Sequence, residues 1–506
     1  MDEKWIEERK TSRDERYHIK NKERDYRTHA QHDRDRLINT MALRRLAHVT
    51  QVVNPHEGRF FHNRLTHTLK VAMIAKRMAE FLLWGPDTHT DPTNHKFYQD
   101  HIWSSGGLDP DVVEAAALAH DFGHPPFGHI GEYTLNRCVI CAGNEDGYEG
   151  NAQSFRIVTR LEIWREGTPG LDLTKATLHA LLKYPYDRSR AKSAEQNPLS
   201  LETEGRSQEN NSYDCEEDAS YKLKYSYYQT EKEYFDFAED LRLSRNREGL
   251  PWRWLEAAIM DWADDIAYAT HDVEDFYLAG RIPLDRFVYE SSFAASGKKR
   301  NSRHNNNIDL ELDWFLNQVT QEDHPSYQQI RDVFVDTISK FPYQTRQGRQ
   351  LLQRRIRHWA GGLVDGCVKN TRLNSQAHRD PNQEWLEIKG DWRAKIKVLK
   401  KLTKNYVHSN YQGITTQQYG EQRIVESLFD YYFSQACKKH DENSILTKEH
   451  YATIHELEEF GLIPKAARAR VVADVISGMT DEEAVNMHHR LTGITLGSFA
   501  DDISID

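Results

Sequence analysis

Residues 120–132 of the chain read HDFGHPPFGHIGE. The predicted fold and the predicted site both start from this stretch. It follows a helical pattern that begins near Pro110, and the apolar face of that pattern leads directly into His120. Pro125 and Pro126 end the pattern, because proline has no backbone N–H and clashes with the preceding turn. Such a density of imidazole and carboxylate groups is unusual at the end of a core helix and indicates a chemically active site.

Composition limits what the 506 residues can be. Hydrophobic residues make up 38% and aromatic residues 11%, which is too much apolar surface for a disordered chain. Charges interrupt every apolar run well before the roughly 20 residues that a membrane span needs. The N-terminus, MDEKWIEERK, shows no secretory signal and the chain has only five cysteines, so we expect a cytoplasmic protein with no membrane partner.

The net charge of −11 argues against general affinity for nucleic-acid backbones. Any anionic ligand therefore needs a local pocket of basic side chains. A concentrated basic run, formed by Lys298, Lys299, Arg300 and Arg303, supports one alternative interpretation, a regulator that binds single-stranded nucleic acid.

Helical periodicity dominates the sequence and predicts an all-α fold. Apolar residues recur at helical spacing, and no run of alternating β-branched residues stands between turns. We expect helices at about 65–83, 109–121, 151–165, 172–183, 230–243, 251–279, 326–340, 347–368, 394–407, 420–438, 448–457 and 464–489.

Charge distribution suggests three regions. Residues 1–33 carry dense charge of both signs and are expected to form an arm or a surface helix. Residues 34–290 would form a helical core interrupted by a polar, acidic insertion at 187–220. Residues 291–506 would form a C-terminal helical extension packed on that core.

A divalent metal is the first hypothesis for the histidine-rich stretch. Neutral imidazole and carboxylate together suit Mn²⁺, Mg²⁺, Fe²⁺, Co²⁺ or Zn²⁺, and geometry selects among them. His67 is a distant candidate ligand, and Asp264, Tyr268 and Asp272 form a polar stripe at i, i+4 and i+8 on an otherwise apolar helix. Buried aspartates there would be costly unless a cation or hydrogen bonds met them. Each residue alone has an ordinary alternative: a single histidine on an apolar face is usually a core residue, and Asp265 would be solvated.

Taken together, these residues resemble the H…HD…D ligand set of the HD superfamily of metal-dependent phosphohydrolases. More narrowly, the chain resembles the deoxyguanosinetriphosphate triphosphohydrolase (dGTPase) family. The matching segments run in family order through nearly the whole chain: DRDRLIN (33–39), NRLTH (63–67), HDFGHPPFGHIGE (120–132), YEGNAQ (148–153), LKYP (182–185), ADDIAY (263–268) and ISGMTD (476–481).

The resemblance implies hydrolysis of a deoxynucleoside triphosphate (dNTP), most often dGTP, to a deoxynucleoside and inorganic triphosphate. It assigns the metal, Mn²⁺ or Mg²⁺ in the first place, to His67, His120, Asp121 and Asp264. It assigns catalytic roles to His129, Glu132 and His124, and substrate binding to Gln51, Arg64, Lys183, Tyr184, Lys224, Tyr268 and Asp272. It also implies a homo-oligomer, namely a hexamer.

Within that assignment, Glu132 orients His129, the basic residues hold the triphosphate, and Tyr268 leaves no room for a ribose 2′-OH. Gly150 departs from the histidine that many family members carry, which weakens any second histidine base and favours the dGTP-preferring type. The main alternative is an HD phosphohydrolase with another nucleotide substrate: a broad set of dNTPs, an alarmone or a nucleoside monophosphate.

Overall fold

The structure is a computed structural model of the chain. It describes residues 3–18, 26–51, 61–85, 99–195 except 101 and 104, 223–239, 253–295, 309–323, 327–342, 349–374, 377, 383–408, 412–438 and 444–495. The basic run at 298–303 and most of the predicted insertion at 187–220 lie outside the described residues.

The described residues are almost entirely helical, as predicted. The helices of the N-terminal half are α1 (Glu3–Arg13), α2 (His29–Ile38), α3 (Met41–Arg45), α4 (Arg64–Trp84), α5 (Pro110–Ala119), α6 (His129–Cys141), α7 (Gly150–Arg156), α8 (Lys175–Ala180), α9 (Arg188–Glu195), α10 (Lys232–Glu239), α11 (Leu255–Leu278) and α12 (Leu284–Ala295). Those of the C-terminal half are α13 (Asp309–Asp323), α14 (Tyr327–Ile338), α15 (Arg349–Lys369), α16 (Trp392–Thr403), α17 (Gln412–Ala436), α18 (Lys448–Phe460), α19 (Pro464–Ser477) and α20 (Asp481–Leu491).

Short elements complete the description. Leu46–His48 and Gln229–Glu231 are 3₁₀ turns, and Ile157–Leu161 and Lys404–His408 are π-helical turns. Strands β1 (Thr371–Leu373) and β2 (Leu386–Ile388) form a small antiparallel ribbon in which Arg372 pairs with Glu387. Apart from this ribbon and a few isolated bridges, the described chain has no sheet, so the all-α prediction is confirmed. None of its helices combines the length and the apolarity that crossing a bilayer requires.

Helices α4, α5 and α11 form the centre of the fold and carry the candidate metal ligands. Helix α4 packs against both α5 and α11, and α2 lies across α5. Helix α5 is buried along almost its whole length, which its sequence PDVVEAAALA allows because it is apolar nearly all round. Its start is fixed by Pro110 at the first helical position and by the Asp109 side chain, which accepts a hydrogen bond from the Asp111 amide.

The C-terminal helices cover the core from two directions. Helices α15 and α16 pack on α11, whereas α17 and α19 pack on α6. A second apolar cluster joins α6 to this C-terminal group, and it includes Phe127 from the HPPFGH segment together with Leu135, Val425 and Ile476. The C-terminal region therefore packs directly on the segment that carries the HDFGHPPFGHIGE motif.

Several helix predictions need correction. The helix expected over 464–489 is two helices, because Gly478 ends α19 and Thr480 caps α20 through a capping box with Glu483. Helices α2, α3, α9, α12 and α13 were not among those expected, and α9 lies at the start of the predicted insertion. The expected boundaries at residues 33 and 290 fall inside α2 and α12, so the division into three regions stays a prediction. Helix α1 is mostly exposed, but Arg13 at its end is buried and forms a salt bridge with Glu256.

Candidate metal and catalytic site

Three packed helices bring the four predicted metal ligands together. His67 lies one turn into α4, whose start is fixed by a capping box between Asn63 and Thr66. His120 and Asp121 follow α5 directly, and Asp264 lies in the middle of α11. Packing of α4 against α5 and α11 therefore converts three distant stretches of sequence into one cluster.

The side-chain distances within this cluster are short. His67 Nε2 lies 3.0 Å from Asp264 Oδ1, and His120 Nε2 lies 3.4 Å from Asp121 Oδ1 and 3.8 Å from Asp264 Oδ1. Ligand atoms of His67, His120 and Asp121 all lie within 4.8 Å of one another. Imidazole nitrogens and carboxylate oxygens so close together can share a single divalent cation.

His120 provides the test of whether these residues fit a metal. Its Nδ1 lies 2.7 Å from the carbonyl oxygen of Ala117, which assigns the ring proton to Nδ1. Its Nε2 is buried and has no hydrogen-bond partner among the described residues. A buried acceptor without a partner is costly, and a cation would remove that cost. The cluster therefore fits a metal ion.

Charge at the cluster keeps both aspartates in the form that binds a cation. Burial alone would raise the pKa of Asp121, but the neighbouring histidines and Arg64 outweigh it and hold that pKa well below its usual range. Burial opposes ionisation at Asp264 as well, where Lys183 and the nearby histidines hold the pKa well below its usual range. Deprotonated carboxylates are the forms that ligate a metal.

A second group, His124, His129 and Glu132, lies next to the first. His124 Nδ1 is 3.0 Å from Asp121 Oδ1, so Asp121 connects the two groups. Burial, and then the positive charge of Arg64, lowers the pKa of His124 to about 4. The His124 ring is therefore neutral at neutral pH, and it packs edge to face with the ring of His129 at 5.3 Å.

Glu132 is held on both of its oxygens. Oε2 lies 3.1 Å from His129 Nδ1, whereas Oε1 accepts hydrogen bonds from the Gly150 amide at 3.0 Å and from Lys224 Nζ at 3.1 Å. Burial would raise the pKa of Glu132, but Lys224 and His129 hold it well below its usual range. An ionised, fixed carboxylate can orient an imidazole and stabilise its protonated form. Because Lys224 already meets Glu132, this group is better suited to proton transfer than to a second metal.

The predicted phosphate-binding cations surround these two groups. Arg64 is 2% exposed, donates from Nη1 to Asp121 at 3.1 Å, and has a buried Nη2 with no acceptor among the described residues. Lys183 Nζ lies 2.7 Å from Asp261 and 3.2 Å from Asp264, and it lies over the ring of Tyr184. Lys224 bridges Glu132 and Glu149 at 3.1 Å each.

Two of the predicted sugar-binding residues have buried polar atoms without a hydrogen-bond partner in the described part of the chain. Gln51 Oε1 and Asp272 Oδ2 are buried and lack hydrogen-bond partners within the described part of the chain. Burial and then the nearby Asp275 raise the pKa of Asp272 well above its usual range, while a hydrogen bond to Tyr268 opposes that effect. These oxygens are available to accept a hydrogen bond from a ligand hydroxyl.

Sequence reasoning missed three residues around the site, because each depends on a contact between distant segments. Asp265, expected to be solvated, is paired with Lys400 Nζ of α16 at 2.6 Å. Glu149 is 2% exposed and shares Lys224 with Glu132. Asp481 is buried against the segment that precedes His129. The motif ISGMTD contains Asp481, but no local signal showed what that residue contacts.

Comparisons with known proteins identify the family. The HD domain family matches residues 64–269, and the phosphohydrolase-associated domain family matches residues 386–490. A deoxyguanosinetriphosphate triphosphohydrolase-like protein of Corynebacterium efficiens is 30% identical over 93% of this chain and 93% of its own length. One from Brucella anthropi is 30% identical over 92% of this chain and 89% of its own length, and one from Corynebacterium glutamicum is 37% identical over about half of each chain. The chain therefore belongs to the deoxyguanosinetriphosphate triphosphohydrolase-like family of metal-dependent HD phosphohydrolases.

Proposed function

We propose that this protein is a dNTP triphosphohydrolase that converts dGTP to deoxyguanosine and inorganic triphosphate. The observation that carries the proposal is the buried, unpartnered Nε2 of His120, which faces Asp121 and Asp264 beside a separate His129–Glu132 pair. This arrangement offers a cation site and a proton-transfer site next to one another. The choice of dGTP as the substrate comes from the names of the relatives.

His67, His120, Asp121 and Asp264 would hold the divalent metal, Mn²⁺ or Mg²⁺. When bound, such an ion polarises a phosphoryl oxygen and lowers the pKa of a bound water. All other steps are assigned to side chains of the chain itself. In the overall reaction, water adds to the α-phosphorus, the bond to the nucleoside 5′ oxygen breaks, and that oxygen takes up a proton.

His129 is the residue to which we assign proton transfer. Glu132 binds its Nδ1, so the opposite nitrogen, Nε2, is the atom that exchanges the proton with the attacking water or the leaving oxygen. Lys224 and the Gly150 amide fix Glu132 in turn. These contacts would hold His129 in the fixed orientation that a positioned acid or base requires.

Arg64, Lys183 and Lys224 would bind the triphosphate. They supply the local positive charge that a chain of net charge −11 needs in order to hold a strongly anionic substrate. Arg64 Nη2 is a buried donor with no protein acceptor in the described residues, so a phosphate oxygen would satisfy it. Tyr184 lies against Lys183 and Arg253 and would complete the wall of this pocket.

Gln51, Tyr268 and Asp272 would bind the deoxyribose. Gln51 and Asp272 each bring a buried oxygen without a partner, which suits the 3′-OH of the sugar. Tyr268 is hydrogen-bonded to Asp272, which fixes the two side chains relative to each other. A ring in that place would exclude a ribose 2′-OH by its volume.

Product analysis tests the proposal directly. Purified protein is incubated with each of the four dNTPs and a panel of divalent metals, and nucleosides and phosphates are separated by chromatography. We expect deoxyguanosine and triphosphate from dGTP, with slower turnover of the other dNTPs. Release of dGMP and pyrophosphate would contradict the assigned bond cleavage.

A matched pair of histidine variants tests the site. His120→Ala removes one of the four ligands and is expected to lower kcat by roughly a thousandfold or more, since metal activation contributes several kcal/mol. His455→Ala changes a histidine whose side chain is 77% exposed and serves as the control. Equal turnover by the two variants would show that the metal centre lies elsewhere.

A further inference from the structure

We propose that Asp481, from the C-terminal region, is a positioning residue for the active site. Residues 122–128, here called the catalytic loop, connect the metal ligand Asp121 to the proton-transfer residue His129. Asp481 would hold this loop against the Thr50–Arg64 pair. The inference rests on the proposed function for its effect on turnover, but the contacts that support it are independent of the substrate.

Asp481 accepts hydrogen bonds from two separate parts of the site. It is the first residue of α20 and is 2% exposed. Its Oδ1 accepts from the Phe127 amide at 2.8 Å. Its Oδ2 accepts from the Thr50 amide at 2.9 Å and from the Thr50 hydroxyl. One carboxylate thus joins the catalytic loop to the segment that precedes α4.

The catalytic loop needs such an anchor because its backbone adopts an uncommon conformation. Phe127 has a φ of 63° and Gly128 a φ of 57°. A bulky residue with positive φ is a sparsely populated state that persists only when its surroundings fix it. His129 begins α6 immediately afterwards. The bond from the Phe127 amide to Asp481 therefore helps set the direction in which α6 and His129 leave the loop.

Thr50 connects Asp481 to residues of the proposed metal and substrate sites. The Thr50 carbonyl accepts a hydrogen bond from Arg64 Nε at 2.9 Å, and Arg64 Nη1 donates to Asp121 at 3.1 Å. Gly128 lies against the same group, since a Cβ on it would stand 2.8 Å from Arg64 Nη2. Asp481 is therefore linked to Arg64, the proposed phosphate ligand, through Thr50. Gln51, a proposed sugar ligand, follows Thr50 in the sequence.

A second contact places the same C-terminal turn on the other end of the loop. Arg45 donates from Nη1 to the carbonyl of Met479 at 3.1 Å. From Nη2 it donates to the carbonyls of Phe122 and His124 at 2.7 and 2.8 Å. The C-terminal region is thus linked to the start of the catalytic loop through Arg45 and to its end through Asp481, so it contributes to the active site as well as covering it.

A carboxylate is the group that this position requires. Asp481 meets two backbone N–H groups and one hydroxyl, all as an acceptor. Burial raises the pKa of Asp481, whereas the hydrogen bonds from Thr50 and Phe127 oppose that effect, and the N-terminus of α20 also favours a negative charge. Asparagine has the same shape, but its amide nitrogen is a donor and would face a donor of either Thr50 or Phe127. Asp481→Asn therefore breaks one of the two links and leaves a donor facing a donor, with little change in volume.

The experiment compares Asp481→Asn with Glu482→Gln, which removes the same charge from the next, exposed position of α20. We expect Asp481→Asn to lower kcat at least tenfold and to raise KM, because small misplacements of catalytic groups cost large factors in rate. Metal content should stay unchanged, since Asp481 touches no proposed ligand. Hydrogen–deuterium exchange of the catalytic loop should become faster, and exchange of α5 should not. Glu482→Gln should match the wild type in all four measurements.

Thr50 provides a second pair of variants in case Asp481→Asn folds poorly. Thr50→Ser keeps the hydroxyl that donates to Asp481 and should stay within about twofold of the wild type, whereas Thr50→Val should lower kcat/KM. Adding Thr50→Val to Asp481→Asn should cause little further loss, because coupled residues are not additive.

Three results would overturn the inference. The first is unchanged loop exchange and turnover in Asp481→Asn. The second is equal behaviour of Thr50→Ser and Thr50→Val. The third is a loss of activity that follows a loss of bound metal. If the wild type fails to hydrolyse dGTP, the proposed function is wrong, and the exchange measurements still decide whether Asp481 holds the loop.

Discussion

Lys224→Met should move the acid limb of the pH–rate profile to higher pH. Lys224 Nζ lies 3.1 Å from Glu132 Oε1 and is the largest of the influences that hold the pKa of Glu132 below its usual range against burial. Without this charge, the buried Glu132 takes up a proton at higher pH. A protonated Glu132 no longer orients and stabilises His129 as an ionised carboxylate does. Activity that depends on the pair is therefore lost earlier as the pH falls.

The size of the shift follows from Coulomb's law. At 3.1 Å, two unit charges interact by about 1.3 kcal/mol in bulk water and by about 5 kcal/mol at an effective dielectric constant near 20. The Lys224 side chain is 42% exposed, so solvent screening places the interaction toward the lower value. At about 1.4 kcal/mol for each pKa unit, the acid limb should move upward by about 1–2 pH units.

The assay is kcat/KM for dGTP measured across pH for the wild type, Lys224→Met and Lys224→Arg. Lys224→Arg keeps the positive charge, and its acid limb should remain where the wild type has it. The absolute rate of Lys224→Met is also expected to fall, because the side chain is a proposed phosphate ligand, but that loss changes the height of the profile and not its position. An acid limb that stays in place in Lys224→Met would refute the reasoning.

Three further predictions follow from other contacts. Tyr268→Ala should raise the ratio of kcat/KM for GTP to that for dGTP by roughly tenfold or more, and an unchanged ratio would mean that the ring does not exclude the 2′-OH. Arg156→Met leaves the buried carboxylates of Glu231 and Asp474 without their shared partner, so urea unfolding should show a loss of about 3–5 kcal/mol. Mn²⁺ at a hundred times its Kd should stabilise the protein by about 2.7 kcal/mol, whereas in His120→Ala that gain, read as a thermal shift reversed by chelator, should disappear.

The helices that carry the candidate metal ligands were predictable because their signals are local. Asp109 and Pro110 mark the start of α5, and the apolar pattern of α11 extends over 24 residues with the aspartate stripe on one face. Within such helices the position of each side chain around the axis follows from residue spacing alone. His67, His120, Asp121 and Asp264 could be named as candidate ligands before any packing was known because, on these helices, they resemble the H…HD…D ligand set of the HD superfamily.

The boundaries near the site were less predictable. A single periodic pattern covers 464–489, yet Gly478 and Thr480 break it into α19 and α20. That break creates the turn that presents Asp481 to Thr50 and Phe127. A capping signal inside an apolar pattern competes with helical periodicity, and here the capping box of Thr480 with Glu483 prevails over the apolar repeat.

The sequence by itself determined the helical class, the family and the identity of the metal-ligand candidates, because helical periodicity, capping residues and the HDFGHPPFGHIGE motif are encoded within a few neighbouring residues. Only the tertiary structure decided that Lys400 is paired with Asp265, that Glu132 and Glu149 share Lys224, and that Asp481 accepts a hydrogen bond from the Phe127 amide. Asp481 and Thr50 are 431 residues apart in the chain. A hydrogen bond over that separation depends on how whole helices pack, and no local pattern specifies it.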